Sequence, residues 1–387
     1  MEPTPLAGGV PYRLAGCRLT VDLEALATNW RALAGKCRPA ETAAVVKADG
    51  YGLGLEPVAR KLLAAGCATF FVATPSEGVA LRGLAPDARI FVLVPMLGDG
   101  AETDIAAHGL VPCLNSTSEI AVWESFCGSH GSPLPCAIHV DTGMNRLGLT
   151  PAEARAFAEE NALTQAIEPV LLMSHLACAD EPAHPLNRRQ CEAFGLAAAE
   201  FKGIETSLAN SAGIFLGQDY RFGLVRPGIA LYGGQPVTGH PNPMRPVATA
   251  EARIVQIRYA RAGETVSYGA TVTLRRDTII AACAAGYADG YHRAASGAGV
   301  PLRSGDGAGA SGFVAGRTVP VLGRVTMDVT LFDVTDCGEG AVGRGDWIEL
   351  FGPNIPLDEA ARAAGTISYE LLTSLGARYH RRYVEAA

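Results

Sequence analysis

The run AAVVK at 43–47 places small apolar residues, of the kind that line a buried strand, in front of a lysine, and Asp-Gly-Tyr-Gly follows at once. Lysine is seldom fully buried without a partner. Lys47 is therefore either the point where a strand reaches solvent or a nucleophilic amine held at the mouth of a fold. Other polar residues take the same place at the downstream ends of short apolar runs: Asn115, Asp141 with Arg146, His175, Asn210 with Ser211, and Arg226. This set has one lysine, two arginines and a histidine, but no cluster of carboxylates. Metal-assisted chemistry needs several carboxylates or histidines converging, so no metal is expected. What remains suits a cofactor that brings its own electron sink and phosphate, with lysine as its Schiff-base partner.

Such residues need a scaffold that gathers strand ends at one face. From about 42 to 233 the chain alternates short apolar runs with helix-like stretches. The runs are AAVVK, ATFFVAT, ARIFVLV, LVPCLN, PCAIHVD, EPVLLMSH, IETSLAN and RPGIALYG. They do not alternate in polarity, as expected of parallel strands covered on both sides. Stretches such as LEPVARKLLAAG have helical spacing and a closing glycine. Eight strands with intervening helices indicate a (β/α)8 barrel, whose catalytic residues come from the C-terminal ends of its strands. A doubly wound open sheet gives a similar pattern, but the count of eight favours the barrel. Phosphate commonly binds at the loops after strands seven and eight, which here begin ANSAG and RPGIALYG. After 242–250 the texture changes. ARIVQIRY alternates in period two, and GETVSYG, TIIAAC, VAGRTVPVLG and DVTLFDV follow between turn residues. The expected architecture is α/β plus β: a barrel over 15–244 and an antiparallel β domain over 245–387, with residues 1–14 free to pack against the latter. Residues 294–312, rich in Gly, Ala and Ser, read as a mobile loop.

Composition narrows the function. The 387 residues are 48% hydrophobic and carry a net charge of −7, with no basic run. That argues against nucleic acid or an anionic membrane as partner. The ten cysteines are scattered without CxxC or metal spacing, as in a reduced cytoplasmic protein. LAGC at 14–17 resembles a lipoprotein cleavage site, but the residues before it carry an acid, three prolines and no apolar core, so no signal peptide is expected. No apolar run is long enough to span a membrane.

AVVKADGYGLG resembles the pyridoxal-phosphate lysine motif of alanine racemases. HVDTGMNRLG, MSHLACAD, SLANSAG, VRPGIALYG, VSYGATV, GYADGYHR, GRVTMD and GTISYELL resemble that family's other blocks, in the family's order, across residues 43 to 372. The resemblance implies a barrel followed by a C-terminal β domain, pyridoxal 5'-phosphate as cofactor, and a homodimer with two shared active sites that interconverts L- and D-alanine for peptidoglycan. By position, Lys47 would hold the cofactor and serve as one base, and Tyr268 of the partner subunit would be the other. Tyr51, Ser211, Tyr369 and the backbone at Gly228 and Ile229 would take the phosphate, with Asn210 in the cofactor-binding set. Arg226 would face the pyridine nitrogen with His175 behind it, and Arg146 and the Met327 backbone would receive the substrate carboxylate. Tyr287, Tyr369, Arg293, Arg324, Asp180 and Ile367 match positions of the family's entry corridor. The types suit the reaction, because racemisation needs a base on each face of a planar carbanion. Arginine carries donors only and leaves the ring nitrogen unprotonated.

Some positions depart from the pattern. His139 stands where many members carry a carbamylated lysine that orients the arginine equivalent to Arg146, so another group must orient it here. Asp49 and Leu53 replace the usual Asn and His, which leaves substrate breadth open. Asp328 reads equally as a structural hydrogen-bonder. The rival readings are a racemase of serine or broader specificity, a decarboxylase of the same architecture, and a non-catalytic cofactor-binding barrel. Arg226 argues against the decarboxylase, which uses an acid at the ring nitrogen. The β domain argues against the lone barrel.

Overall fold

A computed structural model describes residues 10–300 and 309–385. Within the glycine-rich stretch at 294–312, residues 301–308 lie outside the described residues, and a bridge joins Gly297 to Gly309. The chain divides into two compact units: Leu26–Leu231 with Gln235–Met244, and a second built from the described residues up to Ala25, Tyr232–Gly234 and the chain from Arg245 onward.

In the first unit, Ala44–Val45, Thr69–Val72, Arg89–Val92, Val111–Leu114, Pro135–His139, Glu168–Met173 and Glu205–Ser207 form a seven-stranded parallel sheet in chain order. The eighth run enters earlier than its apolar pattern suggests. Leu224–Val225 pairs in parallel with Glu41–Thr42, while Gly223 N–H donates to Thr206 O (3.0 Å), Arg226 N–H to Ala209 O (2.9 Å) and Val45 N–H to Pro227 O (3.0 Å). These bonds join the last strand to the first and close the ring. The expected strand RPGIALYG instead turns away after Arg226, because Pro227 has no N–H to continue a ladder.

The strands TFFV and VPCL are buried along their whole length, as a sheet covered on both faces requires. Phe71 and Phe91 stack with centroids 4.8 Å apart, and each such side chain contributes about 1.5–3 kcal/mol on burial. Helices begin at side-chain caps: Thr74 before Pro75–Leu84, Ser116 before Thr117–His130, and Thr150 in a capping box before Pro151–Thr164. At the N-terminal end of the strands, Arg89 donates to Glu41 (2.6 Å), Glu205 (2.8 Å) and Thr69 (2.9 Å), tying four strand segments together.

The second unit is an eight-stranded sheet in the order Thr278–Cys283, Thr330–Asp333, Arg317–Leu322, Ser311–Val314, Trp347–Phe351, Ala248–Ala260, Cys17–Asp22, Tyr379–Val384. The long strand Ala248–Ala260 also pairs with Thr278–Cys283, switching partners at an irregularity between Ile254 and Gln256, so six strands form a ring. One boundary needs correcting. The barrel, expected from residue 15, does not include Cys17–Asp22: that strand pairs antiparallel with Ala248–Ala260 and parallel with Tyr379–Val384. Its burial alternates residue by residue, the mark of a strand with one face on a core, unlike the barrel strands. Helices Leu357–Ala363 and Ser368–Thr373 interrupt a region expected to be all strand.

Candidate active site

Lys47 comes two residues after the strand Ala44–Val45 and opens an unusual turn. Ala48, Asp49, Gly50 and Tyr51 are all left-handed, with φ of 54°, 54°, 62° and 56°. The turn carries its own bonds, Gly50 N–H to Val46 O (2.9 Å) and Gly52 N–H to Ala48 O (2.8 Å). Left-handed geometry costs roughly 1–2 kcal/mol for each residue with a Cβ, so outside groups must hold it. Asp49 accepts from Leu55 N–H at 2.7 Å, and Glu77 accepts from Ala48 N–H at 2.7 Å and Ala73 N–H at 2.7 Å. Burial, then the Arg146 charge, pushes the Lys47 amine below its usual value, with Glu77 opposing. More of it is therefore the neutral, nucleophilic form near neutral pH.

The turn delivers Tyr51, which is buried, to the backbone of Gly228. A Cβ at Gly228 would lie 2.2 Å from the Tyr51 hydroxyl. The same loop offers donors: Gly228 N–H (2.9 Å) and Ala230 N–H (3.2 Å) both point to Ser211 Oγ, with Ile229 between them in sequence. Asn210 acts locally, accepting from Gly213 N–H at 2.9 Å. Hydroxyl groups and backbone N–H groups on a tight glycine turn suit a phosphate.

Arg226 is buried at the end of the eighth strand. Its guanidinium donates to Ser207 Oγ and Ser174 O and lies 3.5 Å from His175 Nδ1. No carboxylate figures among its neighbours, and desolvation pushes it down to about 10, so it stays a cation. His175, facing Arg226, Arg146, His139 and Lys47 in a desolvated place, is held well below its usual value and is neutral. Gln190, fully buried, donates to His175 O (2.9 Å) and accepts from Ala177 N–H (2.9 Å), which fixes the backbone around the histidine.

His139 is buried, and its Nδ1 bonds Asn115 Oδ1 at 2.8 Å. The Asn115 amide nitrogen donates to Leu93 O (3.1 Å) and Cys113 O (2.8 Å), so its oxygen faces the ring as acceptor. Burial, then Arg226 and Arg146, push His139 down to about 4, leaving it neutral with Nδ1–H as donor. Asp141 gathers the N–H groups of Gly143, Met144 and Asn145, each at 2.8 Å. This shapes the loop that presents the exposed Arg146.

The barrel unit thus brings together Lys47, Tyr51, Arg146, His175, Asn210, Ser211, Arg226, Gly228 and Ile229. Tyr268, Met327 and Tyr369 stand on the other unit. Tyr268 is 73% exposed, beside Ser267, which has φ 64° and donates to Arg324 O at 3.0 Å. The Met327 carbonyl accepts from Ala288 N–H at 3.0 Å, and Asp328 is held by Arg378, which also forks onto Asp289. Asp328 therefore has the structural role. Tyr369 lies on the helix Ser368–Thr373 and is partly exposed, as are Tyr287 and Ile367. Glu77, Ser174, Ser207 and Gln190 were not singled out from sequence. Ser174 and Ser207 occupy the same strand ends as the chosen residues, and that position was the available signal. Among the described residues no group of side chains could hold a metal ion, and no helix is long and apolar enough to cross a membrane.

Residues 21–236 match the alanine racemase N-terminal domain, and residues 247–383 match the alanine racemase C-terminal domain. The chain belongs to the alanine racemase family. It is 56% identical to an alanine racemase of Rhizobium meliloti over 96% of this chain and 98% of that protein. It is 55% identical to a biosynthetic alanine racemase of Agrobacterium fabrum over 97% of this chain and 95% of that one. The fold is similar to the crystal structure of alanine racemase from Bartonella henselae with covalently bound pyridoxal phosphate, with TM-score 0.88 and 38% identity over 96% of this chain and 100% of the other.

Proposed function

We propose that this chain interconverts L- and D-alanine, with pyridoxal 5'-phosphate held at the barrel mouth, and supplies D-alanine for peptidoglycan in the cytoplasm. The observation that carries the proposal is Arg226, a buried cation whose partners are hydroxyl, carbonyl and a neutral imidazole. A donors-only group there would face a bound cofactor's pyridine nitrogen without yielding it a proton. The residues fit the cofactor. Ser211, whose Oγ accepts from the Gly228 and Ala230 N–H groups, would hold the phosphate together with Tyr51 and that turn, and the Lys47 amine, depressed by burial, would be the group that links to the cofactor.

When bound, the cofactor supplies an electron sink conjugated to the substrate α-carbon. The protein does the rest. Arg146, on a loop stiffened by Asp141, receives the substrate carboxylate together with the Met327 backbone. Lys47 removes or returns the α-proton on one face and Tyr268 on the other. Arg226, a donors-only cation, would leave the ring nitrogen of a bound cofactor unprotonated and so favour return of the proton to the α-carbon. Tyr268 comes from a second copy in a homodimer. Tyr268 (73%), Met327 (53%) and Ile367 (62%), all on the second unit, are exposed and open to contact by such a copy.

The test is incubation of the purified, cofactor-loaded protein with L-alanine and, separately, L-serine, followed by chiral chromatography. D-alanine accumulating to an equal mixture, faster than D-serine, is expected. A protein that binds the cofactor and racemises neither would overturn the proposal.

A further inference from the structure

The left-handed turn behind Lys47 needs a group to hold it. Four consecutive residues in that geometry leave Ala48 N–H, at the start of the turn, with no carbonyl to reach, as at any helix start. Glu77 supplies the acceptor. Its Oε1 takes Ala48 N–H and its Oε2 takes Ala73 N–H, both at 2.7 Å. Ala73 directly follows the strand Thr69–Val72, the neighbour of Ala44–Val45. One carboxylate thus ties the end of the lysine strand to the end of the next.

The bland reading makes Glu77 a capping residue of the helix Pro75–Leu84. Its position, three residues after Thr74, has that spacing, and a glutamate there ordinarily reaches back to the cap residue's own N–H. Here Thr74 accepts from Glu77 N–H, with Pro75 opening the helix, and the Glu77 carboxylate passes over the cap to Ala73 and Ala48. Both bonds are charge-assisted, the stronger kind.

We propose that Glu77 is a positioning residue for Lys47, clamping the left-handed turn so that the amine stays aimed into the barrel mouth. This rests on the reading of Lys47 as the cofactor lysine. Without the clamp, Ala48 and Asp49 relax toward right-handed or extended backbone, and the lysine swings with the peptide that follows it. The charged groups acting on the amine are Arg146 and Glu77, with His175 also nearby. Glu77 is the only acid among them, so its loss also removes the charge that favours the ammonium.

The test is Glu77→Gln in the full-length, cofactor-loaded protein, read by amide hydrogen exchange over 46–53 and by kcat and KM for alanine. Gln keeps the shape but has one acceptor where two N–H groups need them. Exchange at Ala48 is expected to quicken about tenfold. A displaced lysine should lower kcat by about 10- to 100-fold while KM stays within about threefold of wild type. Ala48→Gly, which makes the left-handed conformer accessible without a clamp, should restore at least part of kcat when added to Glu77→Gln. If Glu77→Gln does not fold, Glu77→Asp carries the test, with charge kept and reach shortened. Ala48 exchange and kcat both within twofold of wild type would overturn the proposal. So would a kcat loss that Ala48→Gly leaves untouched while the thermal midpoint falls. If wild type failed to racemise alanine, the functional reading would fail by itself, and the exchange at Ala48 would still decide the clamp.

Discussion

Replacing Gly228 by alanine probes the proposed phosphate cradle with a single methyl group. The added Cβ would sit 2.2 Å from the Tyr51 hydroxyl and 3.0 Å from its ring Cζ. Both lie inside van der Waals contact, so Tyr51 must retreat by more than 1 Å at the hydroxyl. It has little room, being buried and placed by the left-handed turn that also carries Lys47. Overpacking of this kind costs about 1–3 kcal/mol. Falling on the proposed phosphate cradle, that corresponds to roughly 5- to 150-fold weaker cofactor binding. The assay is titration of the cofactor-free variant with pyridoxal phosphate, followed by the near-visible absorbance of the bound form, with thermal unfolding as a control for the fold. Tyr51→Phe removes the 2.2 Å contact and leaves the 3.0 Å one. The double variant should therefore lose less affinity than the two single losses combined. A Gly228→Ala protein that binds within twofold of wild type would refute the cradle, as would strict additivity in the cycle.

Three further outcomes follow from the same structure. His139, held neutral down to about 4 against about 6.5 unfolded, binds its proton later than the unfolded chain as pH falls. Stability is thus full above about 6.5 and is lost toward 4, by at most about 3 kcal/mol from this residue. Unfolding of His139→Gln followed by denaturant titration across that window should show a shallower slope. Arg89→Met leaves Glu41 and Glu205 facing each other without their cation. It should cost about 1–2 kcal/mol, discounted for partial exposure, and lower the thermal midpoint while leaving kcat unchanged. Lys47→Ala and Tyr268→Phe should each be nearly inactive, and a mixture that exchanges subunits should regain about a quarter of wild-type activity, since half the dimers then hold one intact site of two. A mixture that stays inactive while labelled subunits exchange would place both bases in one chain.

The strand ends were legible because a parallel strand covered on both faces must be apolar until it emerges. A polar residue closing such a run, as Lys47 and Arg226 do, marks the mouth directly. The left-handed turn was not legible. Ala48 and Asp49 carry side chains, and nothing in their types announces positive φ; what stabilises the turn is Glu77, far along the chain and disguised by its Thr-Pro-Ser-Glu cap spacing. The eighth strand was displaced because Ile229, Ala230 and Leu231 look like a strand while Pro227 and Gly228 turn the chain away. Cys17–Asp22 stands ahead of the barrel in the chain yet pairs in the second unit, and its period-two pattern is the signal that places it with the other half-buried strands. The neutral state of His139 depends on its burial and on Arg226 and Arg146, distant in sequence, which only the folded chain brings near.

The proposed function stands on Lys47 as the amine that carries the cofactor. The chain has four lysines, Lys36, Lys47, Lys61 and Lys202, so one mapping experiment distinguishes them. Borohydride reduction of the cofactor-loaded protein fixes the cofactor to its lysine, and proteolysis with mass spectrometry then reads which peptide carries the added mass. The label is expected on Lys47 at close to one per chain, and none after Lys47→Ala. A label on Lys36, Lys61 or Lys202, or a Lys47→Ala protein that is still labelled, would contradict it.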